Sequence, residues 1–159
     1  FPGGQRHSIS YKLSDYPAFV RGGAVIPMYE KPIFTTDTYS PDTIALYCYY
    51  SDKACDYKTF VYFDDGKTKD AYAKGLYAIL DIQSKYTPTS IEISTSYRSN
   101  DLSDEFVSPK VVEMVVKNIA SKPLKLLING KETTCYVWDG KSHEMRFFCN
   151  AESNMVVNL

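Results

Sequence analysis

The chain is short of the residues that most often carry chemistry. It has two histidines (His7 and His143), one tryptophan (Trp138) and four cysteines in 159 residues. Neither histidine has a partner at metal-ligand spacing, so no metal site is expected. Cys48, Cys55, Cys135 and Cys149 form no CxxC or Cys/His zinc pattern and are too few for a disulfide scaffold. Free, mostly buried thiols are the expectation. An excess of one charge is missing too: 18 Lys and Arg against 19 Asp and Glu leave a net charge of −1. A nucleic-acid binder would carry a basic stripe, and nothing here would draw the chain to an anionic membrane. No apolar run approaches the ~20 residues of a membrane span. Cofactor loops are absent as well. Arg21-Gly22-Gly23 lacks the rest of a GxGxxG or Walker pattern, so its glycines mark a bulge or a close backbone approach. The start, Phe1 to His7, has neither a Met nor the charged-then-apolar pattern of a signal peptide. A piece of a longer chain is expected.

Tyrosine is what the chain has in plenty: 14 Tyr beside 8 Phe, within a 14% aromatic share. That excess fits β-structure, where an amphipathic ring packs on a half-buried pleat. It equally fits a glycan-binding face. The pattern of the chain favours strands throughout. Pro17 to Val20 leads through Arg21-Gly22-Gly23 into Ala24 to Pro27. Thr43 to Tyr50, Lys58 to Phe63, Gly75 to Ile82 and Thr89 to Ser96 follow, several with period-2 alternation. Val111 to Lys117 is apolar but too short for a helix. Leu124 to Ile128, Glu132 to Trp138, Met145 to Cys149 and Met155 to Leu159 complete the series. No stretch holds a capped helical period. The expected class is all-β, as two small antiparallel β-sandwich units in tandem. The polar stretch Gln83 to Pro88 sets the boundary, giving units 1–83 and 84–159. Asn100 to Pro109 reads as a loop within the second.

Asn129-Gly130 is the sharpest local signal, because a two-residue hairpin turn needs φ > 0 at both central positions. It sets a register in which Ile128 opposes Lys131, Leu126 opposes Thr133 and Leu124 opposes Cys135. Continued along the strand, that register puts Cys135 and Val137 on the core face and Tyr136 and Trp138 on the other.

Candidate chemistry is thin. A retaining glycosidase needs two carboxylates about 5–5.5 Å apart across one bond. Asp64 and Asp65 are adjacent, and neighbours on a strand point to opposite faces. Asp65-Gly66 reads as a turn. Asp64, Asp65 and Asp70 do not match an EF-hand loop; an irregular cation site there is the alternative. There is no Gly-x-Ser-x-Gly elbow. The remaining candidates are aromatic: Trp138 with Tyr136, and Tyr47 with Tyr49, each pair on one strand face, as sugar contacts or as an inter-domain surface.

Asp15-Tyr16-Pro17-Ala18-Phe19-Val20-Arg21-Gly22-Gly23-Ala24-Val25-Ile26-Pro27-Met28 resembles the segment that follows the catalytic barrel in glycoside hydrolase family 31, the α-glucosidase and α-xylosidase family. Val61-Tyr62-Phe63-Asp64-Asp65-Gly66-Lys67-Thr68, with Tyr72, Gly75 and Tyr77, resembles the family's Tyr-x-Asp-Asp-Gly segment, in the same order and at the same spacing. Phe63 stands where an acidic or polar residue is common, and the Tyr49 to Lys58 insert with Cys48 and Cys55 has no family counterpart. The resemblance implies a proximal and a distal C-terminal β-sandwich, partnered by the parent's catalytic barrel. It implies that the parent is a retaining α-glycosidase; the compartment is left open. The family's nucleophile lies in a Trp-x-Asp-Met-Asn-Glu motif on the barrel, and Val137-Trp138-Asp139-Gly140 does not match it. No catalytic or cofactor-binding residue carries over to this chain. Its expected role is structural, with Arg21 paired at a buried or interface position and Asp65 and Gly66 shaping a turn. The alternative is an autonomous carbohydrate-binding module.

Overall fold

The computed structural model describes residues 4–32, 34–35, 43–100 and 108–159. Eleven strands run in chain order: β1 Val25–Met28, β2 Thr43–Tyr49, β3 Cys55–Phe63, β4 Ala78–Thr87, β5 Ser90–Asn100, β6 Val111–Lys117, β7 Lys125–Ile128, β8 Lys131–Thr133, β9 Val137–Asp139, β10 Glu144–Asn150 and β11 Ser153–Asn158. There is no helix among the described residues. A first sheet has the order β1-β2-β6-β10-β9 and a second the order β3-β4-β5-β11-β7-β8. All pairings are antiparallel except β2 with β6, where Leu46 sits opposite Met114.

The all-β sandwich is as expected, but its strands are shared differently from a tandem pair. The 83/84 boundary falls inside β4, and each sheet takes strands from both sides of it. One core results. Ile44, Leu46 and Cys48 of β2, Val112, Met114 and Val116 of β6, and Met145, Phe147 and Cys149 of β10 face inward from the first sheet. Leu80, Ile82 and Tyr86 of β4, Ile91 and Ile93 of β5, Leu126 of β7, and Met155 and Val157 of β11 meet them from the second. Period-2 alternation produces both layers. The polar run Gln83 to Pro88 hides a strand, because Ser84, 4% exposed, takes an inward position where an apolar residue would have shown the period. Gln83 and Lys85 beside it point to solvent. Most of the Asn100 to Pro109 insert lies outside the described residues.

The Asn-Gly turn forms, with φ of 51° at Asn129 and 77° at Gly130. Its register holds for Ile128 with Lys131 and Leu126 with Thr133. It does not continue to Leu124 and Cys135. β8 stops at Thr133, and the chain crosses to the first sheet as β9. The crossing has its own local bonds, from Cys135 N–H to the Thr133 hydroxyl (3.1 Å) and from Tyr136 N–H to the Thr134 carbonyl (2.8 Å). Alternation cannot be counted through it. Cys135 and Val137 are therefore exposed, while Tyr136 and Trp138 pack on the core, the reverse of the expected faces.

Residues 4–22 carry no strand and are exposed throughout, so Pro17 to Val20 adds nothing to either sheet. Gly22-Gly23 does mark a close approach. Gly23 has φ +89°, gives its N–H to the Tyr49 carbonyl at 2.7 Å, and leaves no room for a Cβ, which would meet Cys55 Sγ at 2.8 Å. Here the first sheet touches β3 and β4 of the second.

Candidate functional site

The acidic turn after β3 is built as a turn. Gly66 has φ +64° and donates its N–H to Asp64 Oδ1 at 2.9 Å. Asp65 Oδ1 accepts from the Lys67 and Thr68 N–H groups at 3.0 and 2.8 Å, and its Oδ2 accepts from the Thr68 hydroxyl. The Thr68 bonds, hydroxyl then backbone, with help from Lys67, pull the Asp65 carboxyl down to about 2. Such a group holds its proton too weakly to act as a general acid. Asp139 makes a similar turn at the end of β9, accepting from Lys141 N–H and from the Ser142 hydroxyl. Among the described residues no group of three His, Cys, Asp or Glu could hold a metal ion.

The outer face of the first sheet carries a charge network that the sequence did not announce. β2, β6 and β10 are neighbours, and their register puts Tyr47, Val115 and Arg146 in one row, with Tyr49, Lys117 and Glu144 in the next. Arg146 Nη1 lies 3.0 Å from Glu30 and 3.1 Å from Glu113, and its Nε donates to Glu144. Lys117 pairs with Glu144, and Tyr47 donates its hydroxyl to Glu30. The Tyr47 hydrogen bond, with Arg146 behind it, holds Glu30 below its ordinary value against burial. Burial pushes Glu144 up, but the bonds from Lys117 and Arg146 outweigh it and leave the carboxyl lowered. Lys117 Nζ and Arg146 Cζ sit 5.2 and 5.9 Å from the centre of the Tyr47 ring. Tyr47 and Tyr49 thus share a face as expected, but Tyr47 is already engaged by two cations.

Trp138 and Tyr136, with Lys122 and Thr134, line a cleft of about 260 Å³. The Trp138 ring lies against Gly140, where a Cβ would come within 2.7 Å of it. Its buried indole N–H has no partner among the described residues. The two aromatic pairs are therefore on different elements and form no joint site. Arg21 is exposed and forms no ion pair among the described residues, so a buried position is not what it takes here. All four cysteines are free: Cys48 and Cys149 are buried, Cys55 is half-buried and Cys135 is exposed. Burial pushes the Cys149 thiol up to about 12.

The outer face of the second sheet is open. Lys58, Gln83, Ser94 and Asn154 form a row across four strands, in a trough of about 480 Å³. At its β3 edge Phe60 and Tyr62 point outward. Tyr62, Tyr77 and Tyr72 stack in sequence, with ring centres 5.7 and 5.0 Å apart. Tyr62, Tyr72 and Tyr77 belong to the segment that resembles the family motif, but nothing local to any of them shows that they stack.

No protein-family model matches the chain, and no curated protein sequence matches it. Its fold matches solved structures. The GH31 dextranase of Flavobacterium johnsoniae complexed with isomaltotriose aligns with a TM-score of 0.71 at 14% identity, over 87% of this chain and 19% of that one. The same enzyme complexed with glucose gives 0.69 at 14% identity, with the same coverage. The fold is one found in glycoside hydrolase family 31. The alpha-1,4-glucan lyase of Gracilariopsis lemaneiformis, as a covalent intermediate complex with 5-fluoro-idosyl fluoride, aligns at 0.65 and 13% identity, over 87% of this chain and 16% of that one. The chain thus spans less than a fifth of the length of each of these proteins. The fold likeness is to proteins of the family that the motifs around Arg21 and Asp65 resemble.

Proposed function

We propose that this chain is a non-catalytic β-sandwich of a larger family-31 glycoside hydrolase that acts on α-linked sugars, and that it supports the catalytic barrel. The observation that carries this reading is a family-31 sandwich fold in which the motif carboxylate Asp65 and the clustered glutamates of the first sheet are otherwise engaged. Asp65 is consumed by its turn, and Glu30, Glu113 and Glu144 are consumed by Arg146. None of these four is free to serve as one of the two facing carboxylates that hydrolysis requires.

The exposed segment 4–22 supports the reading further. It presents Ile9, Tyr11, Leu13, Tyr16, Phe19 and Val20 to solvent, with Leu13 and Tyr16 almost wholly uncovered. Apolar surface of that kind marks a protein contact. In this reading the barrel covers it, and Arg21, exposed beside it, pairs across the same contact.

Isolating the native polypeptide with an antibody raised against the chain tests this. A protein several times larger than 18.1 kDa that releases aryl groups from α-glucosides is expected. The purified 159-residue chain should release none. An 18 kDa native protein, or hydrolysis by the chain alone, overturns the reading.

A further inference from the structure

The stacked tyrosines lie beside outward-facing Phe60 at the edge of a mostly polar sheet face, and three features hold them ready. Alternation on β3 points Phe60 and Tyr62 outward while Val61 and Phe63 face the core. The loop before β4 turns through left-handed backbone at Asp70 (φ 60°) and Gly75 (φ 74°). It is closed by the bonds Lys74 N–H to Asp70 O, Gly75 N–H to Tyr72 O and Leu76 N–H to Ala71 O. Ala71 is buried by that loop, and its neighbour Tyr72 is left 69% exposed against Tyr77. The third feature is a β-bulge. Ile79 pairs with Ser99 and Leu80 with Tyr97, so Arg98 is the extra residue. Bulges re-aim a side chain, and they gather where function needs one. Arg98 makes a two-pronged bond to Asp81 (3.0 and 2.8 Å) and lies 5.7 Å from the centre of the Phe60 ring.

We infer that Tyr72, Tyr77 and Tyr62, with the Arg98–Asp81 pair, form a binding platform for a neutral oligosaccharide of gluco-configured pyranose rings. The chemistry matches on both sides. A pyranose with equatorial hydroxyls has flat C–H faces, which settle on the electron-rich face of an aromatic ring. Its hydroxyls project in the ring plane, where the planar guanidinium and the carboxylate can donate and accept. The loop and bulge fix the rings beforehand, so little freedom is lost on binding. The platform is separate from the segment 4–22 contact, and it stands or falls independently of it.

Calorimetric titration of the chain with isomaltotriose, maltotriose and cellotriose tests the inference. At least one of them should bind saturably. Tyr72→Ala should weaken that binding about tenfold. Tyr72→Phe should keep it, because the ring remains, and Arg98→Lys should weaken it by removing the fork. Trp138→Phe should leave it unchanged. Tyr72 is exposed, so circular dichroism should show Tyr72→Ala folded. No binding by any of the three sugars, or binding that survives Tyr72→Ala, overturns the inference. So does the finding that Tyr72 becomes inaccessible in the larger native polypeptide, which would make the stack a protein contact.

Discussion

The two outer faces of the sandwich are built to opposite plans. On the first sheet, Arg146 gathers Glu30, Glu113 and Glu144, Lys117 doubles the bond to Glu144, and Tyr47 closes the ring of contacts. Every charge there is answered from within, and Val115 beneath is fully buried although it points away from the core. On the second sheet, the row Lys58, Gln83, Ser94 and Asn154 borders an open trough, and the tyrosine stack stands at its edge. A face whose polar groups satisfy one another serves the fold. A face with groups left over can serve a ligand. The same pleat produces both, and the side chains at the outward positions decide between them.

The strongest challenge to this contrast goes beneath both faces. Leu46 and Leu80 are fully buried, one under each sheet, in one shared core. Leu46→Ala and Leu80→Ala should each cost about 2–5 kcal/mol. Each variant should still unfold in urea as one transition when followed by tryptophan fluorescence and circular dichroism. Two separable transitions would restore two independent units. Next comes the seam between the sheets. Gly23→Ala must take a Cβ to φ +89° and to 2.8 Å from Cys55 Sγ, which should cost about 1–3 kcal/mol. Arg146→Met tests the closed face and should cost about 1–2 kcal/mol, since the network is only half buried. Its pH dependence is the sharper readout. Glu30 and Glu144 are held below 4.5 when folded and return to that value when unfolded. Their stabilisation is therefore complete above 4.5 and is lost as pH falls through the lower folded values. The urea midpoint of the parent chain should drop over that acid range, and that of Arg146→Met should drop less. The smallest effect should come from the open face. Arg98→Lys keeps the charge and removes only the fork of an exposed ion pair, and the urea midpoint should not move measurably.

The sequence made the strand content legible because most strands alternate cleanly. Ile91 and Ile93 against Glu92 and Ser94 is an example. The Asn129-Gly130 turn and the Asp64-Asp65-Gly66 turn were legible too, since each needs specific residues for its backbone. The pairing of distant strands was not. Nothing local tells β2 to lie parallel to β6, or β11 to pass between β5 and β7. The tandem division failed to appear for that reason, and because buried Ser84 disguised the middle of β4. Cys135 and Trp138 take the faces opposite to those of a continuous register because the strand breaks between β8 and β9. The Arg146 network joins residues from positions 30 to 146 and left no motif. The tyrosine stack draws on Tyr62, Tyr72 and Tyr77, which are visible one by one but meet only through the loop that folds between them.

Residue-resolved NMR of the isotopically labelled chain, titrated with isomaltotriose, maltotriose and cellotriose in turn, most directly tests the claim that the first sheet's outer face is closed and the second's is open. With whichever sugar binds, the shifts should gather at Tyr62, Tyr72, Tyr77 and Arg98 and leave Tyr47, Glu113 and Arg146 unmoved. Shifts centred on the Arg146 network or on the Trp138 cleft, or none with any of the three sugars, would contradict it.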